Sequence, residues 1–132
     1  MSALLRGAVA AMAMSGMRSV TTSLGLVRMT PPEEIGTHGA APLLARVPPE
    51  HRAAALELAH WAYGAAGGAV FAALPVRGRA AGLAYGLALW AAFEALIAPV
   101  LGAPARDRPA SERLALAADH ALYGLVVGSR RA

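Results

Sequence analysis

The chain has 132 residues, of which 57% are hydrophobic and 15% charged, and its formal net charge is +4. It has no cysteine, which excludes a disulfide framework, a thiolate metal site and a cysteine nucleophile. All 12 basic residues are arginines, and they lie between apolar runs rather than in one basic patch, so nucleic acid is not an expected partner. Arginines that flank apolar helices are typical of membrane proteins, because the guanidinium can reach the lipid headgroups.

Four apolar segments follow one another, each about as long as a membrane-spanning helix. They cover about residues 3–27, 53–74, 80–101 and 111–128. A helix needs roughly 20 residues to cross the hydrocarbon. The proline-rich region 28–52 predicts an extramembrane loop. The sequence therefore predicts an all-α fold, a four-helix transmembrane bundle, with residues 1–132 forming one integral membrane domain.

The first and fourth segments are the weakest of these spans. Arg18 interrupts the first, and Asp119 and His120 interrupt the fourth. Helices with such residues need neighbours in order to insert. An alanine-rich soluble helical bundle is therefore the alternative fold. The arginines divide almost evenly between the two sides of the predicted bundle, so the positive-inside rule does not determine the orientation.

A motif with the pattern H-x2-Y-G-x3-G occurs twice, 60 residues apart. It runs from His60 to Gly68 and again from His120 to Gly128. Residues 49–68 and 109–128 are identical at seven of their 20 positions. Since the second and fourth helices of an alternating bundle run in the same direction, the motif predicts an internal repeat of two parallel helical hairpins.

Helix geometry gathers the polar residues of the spans in the half of the bundle nearest the two long loops. At a rise of 1.5 Å per residue, the two histidines and two of the charged groups lie roughly 7 to 13 Å from the loop-side helix ends. The candidate intramembrane polar cluster consists of Arg18, Glu57, His60, Glu94, Asp119 and His120.

The opposite half of the bundle is rich in glycine at four-residue intervals. The predicted helix-packing residues are Gly64, Gly68, Gly78, Gly82, Gly86, Gly124 and Gly128. Small residues at this spacing let helix backbones approach closely in lipid. The same faces also allow a homo-oligomer.

Several short motifs resemble those of the YagU-like family of small uncharacterised bacterial inner-membrane proteins. They are the run Gly82–Gly86, Glu94, the turn Pro99–Pro104, and the pair Asp119 and His120 after an acidic helix start. His60 is similar to an earlier intramembrane histidine of that family, and the resemblance covers about residues 58–124. It implies a multi-pass protein of the bacterial cytoplasmic membrane with no established biochemical role.

The polar cluster allows more than one function. Interhelical hydrogen bonds and an ion pair would give it a structural role. A proton or small-solute pathway is the first alternative, because ionisable groups inside a membrane often mark one. Haem ligation by His60 and His120, or a metal site built on Glu57 and His60, are the others.

Catalytic motifs are missing from the sequence. It contains neither G-x-S-x-G nor H-E-x-x-H, so the chain is not expected to be an enzyme. No cofactor is expected, and the lipid bilayer is the expected partner.

Overall fold

A computed structural model describes residues 1–103 and 107–129 and contains helices and no strands within these ranges. In chain order the α-helices are α1 (Ala3–Ser23), α2 (Pro31–Glu34), α3 (Ala41–Leu44), α4 (Arg52–Ala73), α5 (Arg79–Ala92), α6 (Ala98–Val100) and α7 (Ala110–Val127). A π-helical turn, Phe93–Ile97, joins α5 to α6. The predicted all-α helical bundle is confirmed. Pro104, the last residue of the predicted turn motif, lies outside the described residues.

Helix α1 ends four residues earlier than predicted, at Ser23 rather than at residue 27. Gly25, with φ of +71°, turns the chain, and the Leu26 N–H donates to the Thr21 carbonyl at 2.9 Å. This six-residue closure, with glycine in the left-handed conformation, satisfies the last carbonyls of the helix. Gly102 also has φ of +71° and ends α6 in the same way.

The predicted loop 28–52 is largely helical rather than irregular. Thr30 and Glu33 form a capping box in which Glu33 Oε2 accepts from the Thr30 N–H at 2.7 Å. Prolines occupy the first positions of α2, where their missing N–H has no cost. The π-helical turn Ile35–Gly39 then extends α2.

The four long helices pack in the spatial order α4, α1, α7, α5. Helix α1 runs antiparallel to α4, and α7 runs antiparallel to α5. The termini and the tight 74–78 turn lie at one end of the bundle, here called the termini side. The long connections, 24–51 and 101–109, lie at the other end, the loop side.

Glycines bring α1 and α4 into backbone contact near the termini side. A Cβ added to Gly7 would meet the Gly64 carbonyl oxygen and lie 2.9 Å from Gly68 Cα. A Cβ added to Gly68 would lie 2.6 Å from the Ala3 carbonyl oxygen. No larger residue fits these positions at this helix spacing.

Helices α5 and α7 meet through the same arrangement of glycines. A Cβ added to Gly82 would meet the Gly124 carbonyl oxygen and lie 2.8 Å from Gly128 Cα. Gly86 faces the His120 carbonyl oxygen. These contacts correspond to those between α1 and α4, with Gly82 in the place of Gly7.

Gly78 differs from the other predicted packing glycines. A Cβ added to it would meet nothing within 4 Å. Its φ of +91°, just before α5, is the reason for glycine at this position. Its carbonyl oxygen nonetheless approaches Gly128, so its backbone takes part in the packing.

Aromatic side chains close the bundle between its outer helices. The Tyr85 hydroxyl of α5 donates to the Gly67 carbonyl of α4 at 2.9 Å, and the Tyr85 ring packs on Phe71 at 5.2 Å between centroids. Tyr123 of α7 donates to the Gly64 carbonyl at 2.7 Å. Tyr123 is 3% exposed, whereas Tyr63, its counterpart in the first motif copy, is 61% exposed.

Large apolar side chains cover the outside of the bundle. Every long helix contributes to this outer surface, which includes Leu5, Val20, Leu58, Val70, Leu87, Leu114 and Leu125. The stretch Arg79–Val100 is long and apolar enough to cross a membrane, with a mean hydropathy of 1.7 and 22% of it buried. Within the described ranges no other helix meets the same length and hydropathy standard.

We expect Gly82→Ala to destabilise the bundle, because the new methyl group would overlap the Gly124 carbonyl. Overpacking costs about 1–3 kcal/mol. This loss exceeds the roughly 1 kcal/mol by which alanine is preferred to glycine in a helix. Gly16→Ala is the control, since Gly16 is also helical but faces open space. Thermal unfolding followed by circular dichroism compares the two, and equal melting temperatures would contradict the close packing.

Candidate functional site

The six residues of the predicted polar cluster all lie in the loop-side half, but the structure divides them into two groups. Arg18, His60, Asp119 and His120 line one internal cavity, and Glu57 lies at its entrance. Glu94 does not line this cavity and instead pairs with Arg108 and Arg113. The expected alternatives for the Arg18 ion pair were Glu57 and Glu94, and the structure selects Glu57.

Arg18 and Glu57 belong to a closed ring of polar contacts between α1 and α4. Arg18 Nη2 donates to Ser15 Oγ at 3.0 Å and lies 3.6 Å from Glu57 Oε2. The Trp61 indole N–H is shared between Ser15 Oγ, at 3.1 Å, and Glu57 Oε1, at 2.9 Å. The ring fixes the arginine head at the loop end of the cavity.

The internal cavity lies between α1, α4, α5 and α7 and has a volume of about 120 Å³. This is room for several water molecules. Its walls are mostly apolar and aromatic, with Met14, Leu89 and Phe93 among them. Pro31, Pro32 and Ile35 close it on the loop side, so the loop 28–52 forms its roof.

Asp119 is the least satisfied group in the cavity wall. Its side chain is 1% exposed, and neither carboxylate oxygen receives a hydrogen bond. Within the described residues no arginine or histidine nitrogen lies within 4 Å of it. Burial of a polar group without a partner costs several kcal/mol, so this carboxyl group requires a donor that the protein itself does not supply.

The two histidines differ in their hydrogen bonding. His120 Nδ1 donates to the Leu116 carbonyl at 2.9 Å, because a carbonyl oxygen can only accept. This bond places the ring proton on Nδ1 and leaves Nε2 of the neutral ring as an acceptor. His60 Nε2 is buried and has no hydrogen-bond partner. Both rings line the cavity, so they add to its polar groups.

A larger polar vestibule adjoins the internal cavity at Arg18 and Pro32. It has a volume of about 530 Å³ and lies between α1, α4 and the start of α2. Its polar wall consists of Ser15, Ser19, Thr22, Ser23, Thr30, Glu33 and Glu57. The vestibule and the cavity share lining residues, so together they form a continuous polar indentation from the loop side into the bundle.

A second polar group, the loop-side ion network, holds the roof of the cavity in place. Arg108, whose side chain is 3% exposed, pairs with both Glu34 and Glu94. Its guanidinium also lies 5.9 Å from the centre of the Phe93 ring. Glu34 comes from α2 and Glu94 from the π-helical turn after α5, so one arginine joins the two loop-side connections.

A separate pair ties the same loop to α7. Arg28 Nε donates to Glu112 Oε2 at 3.1 Å, and the Arg28 backbone N–H donates to Glu112 Oε1 at 3.3 Å. Sequence reasoning missed Glu34, Arg108 and Glu112 because all three lie in or beside loops that were read as solvated. It also missed Arg6, which is buried near the termini side. The only sequence signal was the presence of charges next to prolines.

The alternatives with a bound cofactor find little support in this geometry. Typical pockets for drug-sized ligands have volumes of about 300 Å³ or more, and the cavity between His60 and His120 is far smaller than a haem requires. Among the described residues, no three histidine or carboxylate side chains gather at metal-binding distances.

Known proteins offer no guide to this site. No protein-family model matches the chain, and neither a curated protein nor a solved structure is significantly similar to it. The resemblance to the YagU-like family therefore stays a prediction, and function is argued from the geometry alone.

We expect Arg108→Ala to destabilise the protein strongly, because it leaves Glu34 and Glu94 buried and uncompensated. Loss of one partner from a buried ion pair costs about 3–5 kcal/mol. The control is Arg46→Ala, since Arg46 is exposed in the same loop. Chemical unfolding gives the free energies. Adding Glu34→Gln and Glu94→Gln to Arg108→Ala should recover part of the loss, and equal stability of the two arginine variants would contradict the network.

Proposed function

We propose that the chain is a multi-pass protein of the bacterial cytoplasmic membrane in which the internal cavity admits a small polar solute from the loop side. The four long helices would span the bilayer, with the loop 28–52 outside it. The observation that carries the proposal is the unpartnered Asp119 carboxyl group at the inner end of a continuous polar indentation.

The distribution of polar and apolar side chains supports membrane insertion. Arg18 and Asp119 are buried, while leucine and valine side chains cover the outside of every long helix. In water this arrangement would expose a large apolar surface, which soluble monomers rarely do. In a bilayer the same surface faces lipid, and charged residues face the bundle interior. The resemblance to the YagU-like family supports the same topology.

A purely structural role accounts for Arg18 and Glu57 but not for Asp119. Structural polar groups inside a protein are expected to be hydrogen-bonded. The Arg18 ring meets this expectation, because each of its members has a partner. Asp119 does not meet it and faces a space large enough for water or a ligand. The geometry therefore favours a solute site over a packing device.

Access to this site is one-sided. Beyond the cavity, towards the termini side, glycine backbones touch between α1 and α4 and between α5 and α7. Tyr123 fills the centre at the boundary between the two halves and bonds to Gly64. A solute that enters from the loop side would therefore stop at Asp119, and passage across the bilayer would require the helices to move apart.

We also propose that the two hairpins descend from one duplicated unit. The second helices correspond at an offset of 60 residues, as the two motif copies indicate. The first helices correspond at an offset of 75, because Gly82 makes the contacts of Gly7 and Gly86 takes the place of Ala11. Glycine closures at Gly25 and Gly102 end the first helices of both hairpins.

The topology can be tested with single cysteines, because the chain has none of its own. We expect Glu50→Cys and Arg77→Cys to react with an impermeant maleimide from opposite sides of the membrane. Sealed cells and inverted vesicles give the two measurements. The protein should also stay in the membrane after extraction at alkaline pH. Labelling of both cysteines from the same side, or release of the protein, would contradict four spans.

One-sided access can be tested at Met14, which lines the cavity and is otherwise buried. We expect Met14→Cys to react with a small water-soluble methanethiosulfonate reagent only from the side on which Glu50→Cys is labelled. Val127→Cys is the control, since Val127 is equally buried but lies in the packed half. The site hypothesis fails if Met14→Cys is as unreactive as Val127→Cys from both sides.

A further inference from the structure

We infer that the cavity binds a small organic ammonium ion, a primary amine with a short apolar substituent, with Asp119 as its counter-ion. The inference rests on the proposed entry of a solute from the loop side and names the class of that solute.

The charges along the indentation favour a cation. The charged residues that line the vestibule and the cavity are one arginine, Arg18, and three acidic residues, Glu33, Glu57 and Asp119. Arg18 is already paired with Glu57. With the histidines neutral, the lining carries a formal charge of −2, and a narrow path of one sign concentrates ions of the opposite sign.

The free hydrogen-bonding groups of the cavity are mainly acceptors. Both Asp119 oxygens lack a donor, and His120 presents Nε2 as an acceptor because Nδ1 bonds to Leu116. Tyr123 uses its proton on the Gly64 carbonyl and keeps only acceptor capacity. A primary ammonium group has three N–H donors and would satisfy several of these groups at once. An anion would face unpaired acceptors and would gain only the Arg18 head.

The remaining cavity wall suits a short organic substituent rather than a hydrated metal ion. Met14, Leu89 and Ile97 present apolar surface, and Tyr63 and Phe93 add aromatic rings. Cations with apolar groups are favoured beside aromatic faces. Among the described residues no three carboxylate or imidazole groups meet to replace the water shell of a metal ion. The volume of about 120 Å³ limits the ligand to a few heavy atoms.

Calorimetry of the purified protein with methylammonium and ethylammonium tests the inference directly. We expect saturable binding of both, weaker binding of tetramethylammonium, which has no N–H group, and no binding of acetate. Asp119→Asn should weaken ethylammonium binding at least tenfold, whereas Glu50→Gln, an exposed change in the loop 28–52, should leave it unaltered. Equal affinity for tetramethylammonium or acetate, or unaltered binding by folded Asp119→Asn, would overturn the inference.

Protection of Met14→Cys provides a second measurement that does not depend on the folding of Asp119→Asn. Saturating ethylammonium should slow the reaction of this cysteine with the methanethiosulfonate reagent at least fivefold, and the same concentration of sodium acetate should not. If the cysteine reacts from the loop side but no ammonium ion protects it, the solute site stands and the ligand assignment is wrong. If the cysteine does not react from either side, the solute site itself is wrong.

Discussion

Backbone-to-backbone contact at glycine sets the spacing of the helices on which the remaining structure depends. Gly7 meets Gly64, and Gly82 meets Gly124, so each hairpin is held together where side chains are absent. Close approach of this kind maximises dispersion contacts and needs no apolar core of large residues. On the loop side the facing residues are larger, and the same two hairpins leave room between them for a cavity.

The loop 28–52 depends on a different kind of interaction. Its position over the cavity is fixed by charges, through the bridge from Glu34 to Arg108 and the pair between Arg28 and Glu112. The termini half is therefore held by packing and the loop half by electrostatics. A buried ion pair costs desolvation energy and tolerates little change in geometry. The roof consequently has one well-defined position as long as both carboxylates reach Arg108.

The sequence predicted the parts of this arrangement that depend on position along a helix. Apolar length located the four long helices, and glycine spacing identified all but one of the close contacts correctly. Depth along the helices placed Arg18, His60 and Asp119 in the same half, where the structure brings them around one cavity. Each of these inferences uses only the rise and periodicity of a helix.

The remaining features depend on which way a helix face turns and on how loops fold back. Depth alone grouped Glu94 with Arg18, but the rotation of its helix directs it to Arg108 instead. Arg108 and Glu34 are 74 residues apart in the chain, and no local pattern links them. Helix ends were misjudged where a single glycine, Gly25, turned the chain before the apolar run was over.

The unequal surroundings of α4 and α7 have a consequence for how the two motif copies can evolve. Helix α7 lies between two neighbours, whereas α4 lies at the edge of the row. Ala59, which corresponds to Asp119 at the 60-residue offset, is exposed on the outer surface. An acid at position 59 would face the surroundings of the bundle rather than its cavity. Only the enclosed copy is therefore free to acquire ionisable groups, and the edge copy is confined to residues that its environment tolerates.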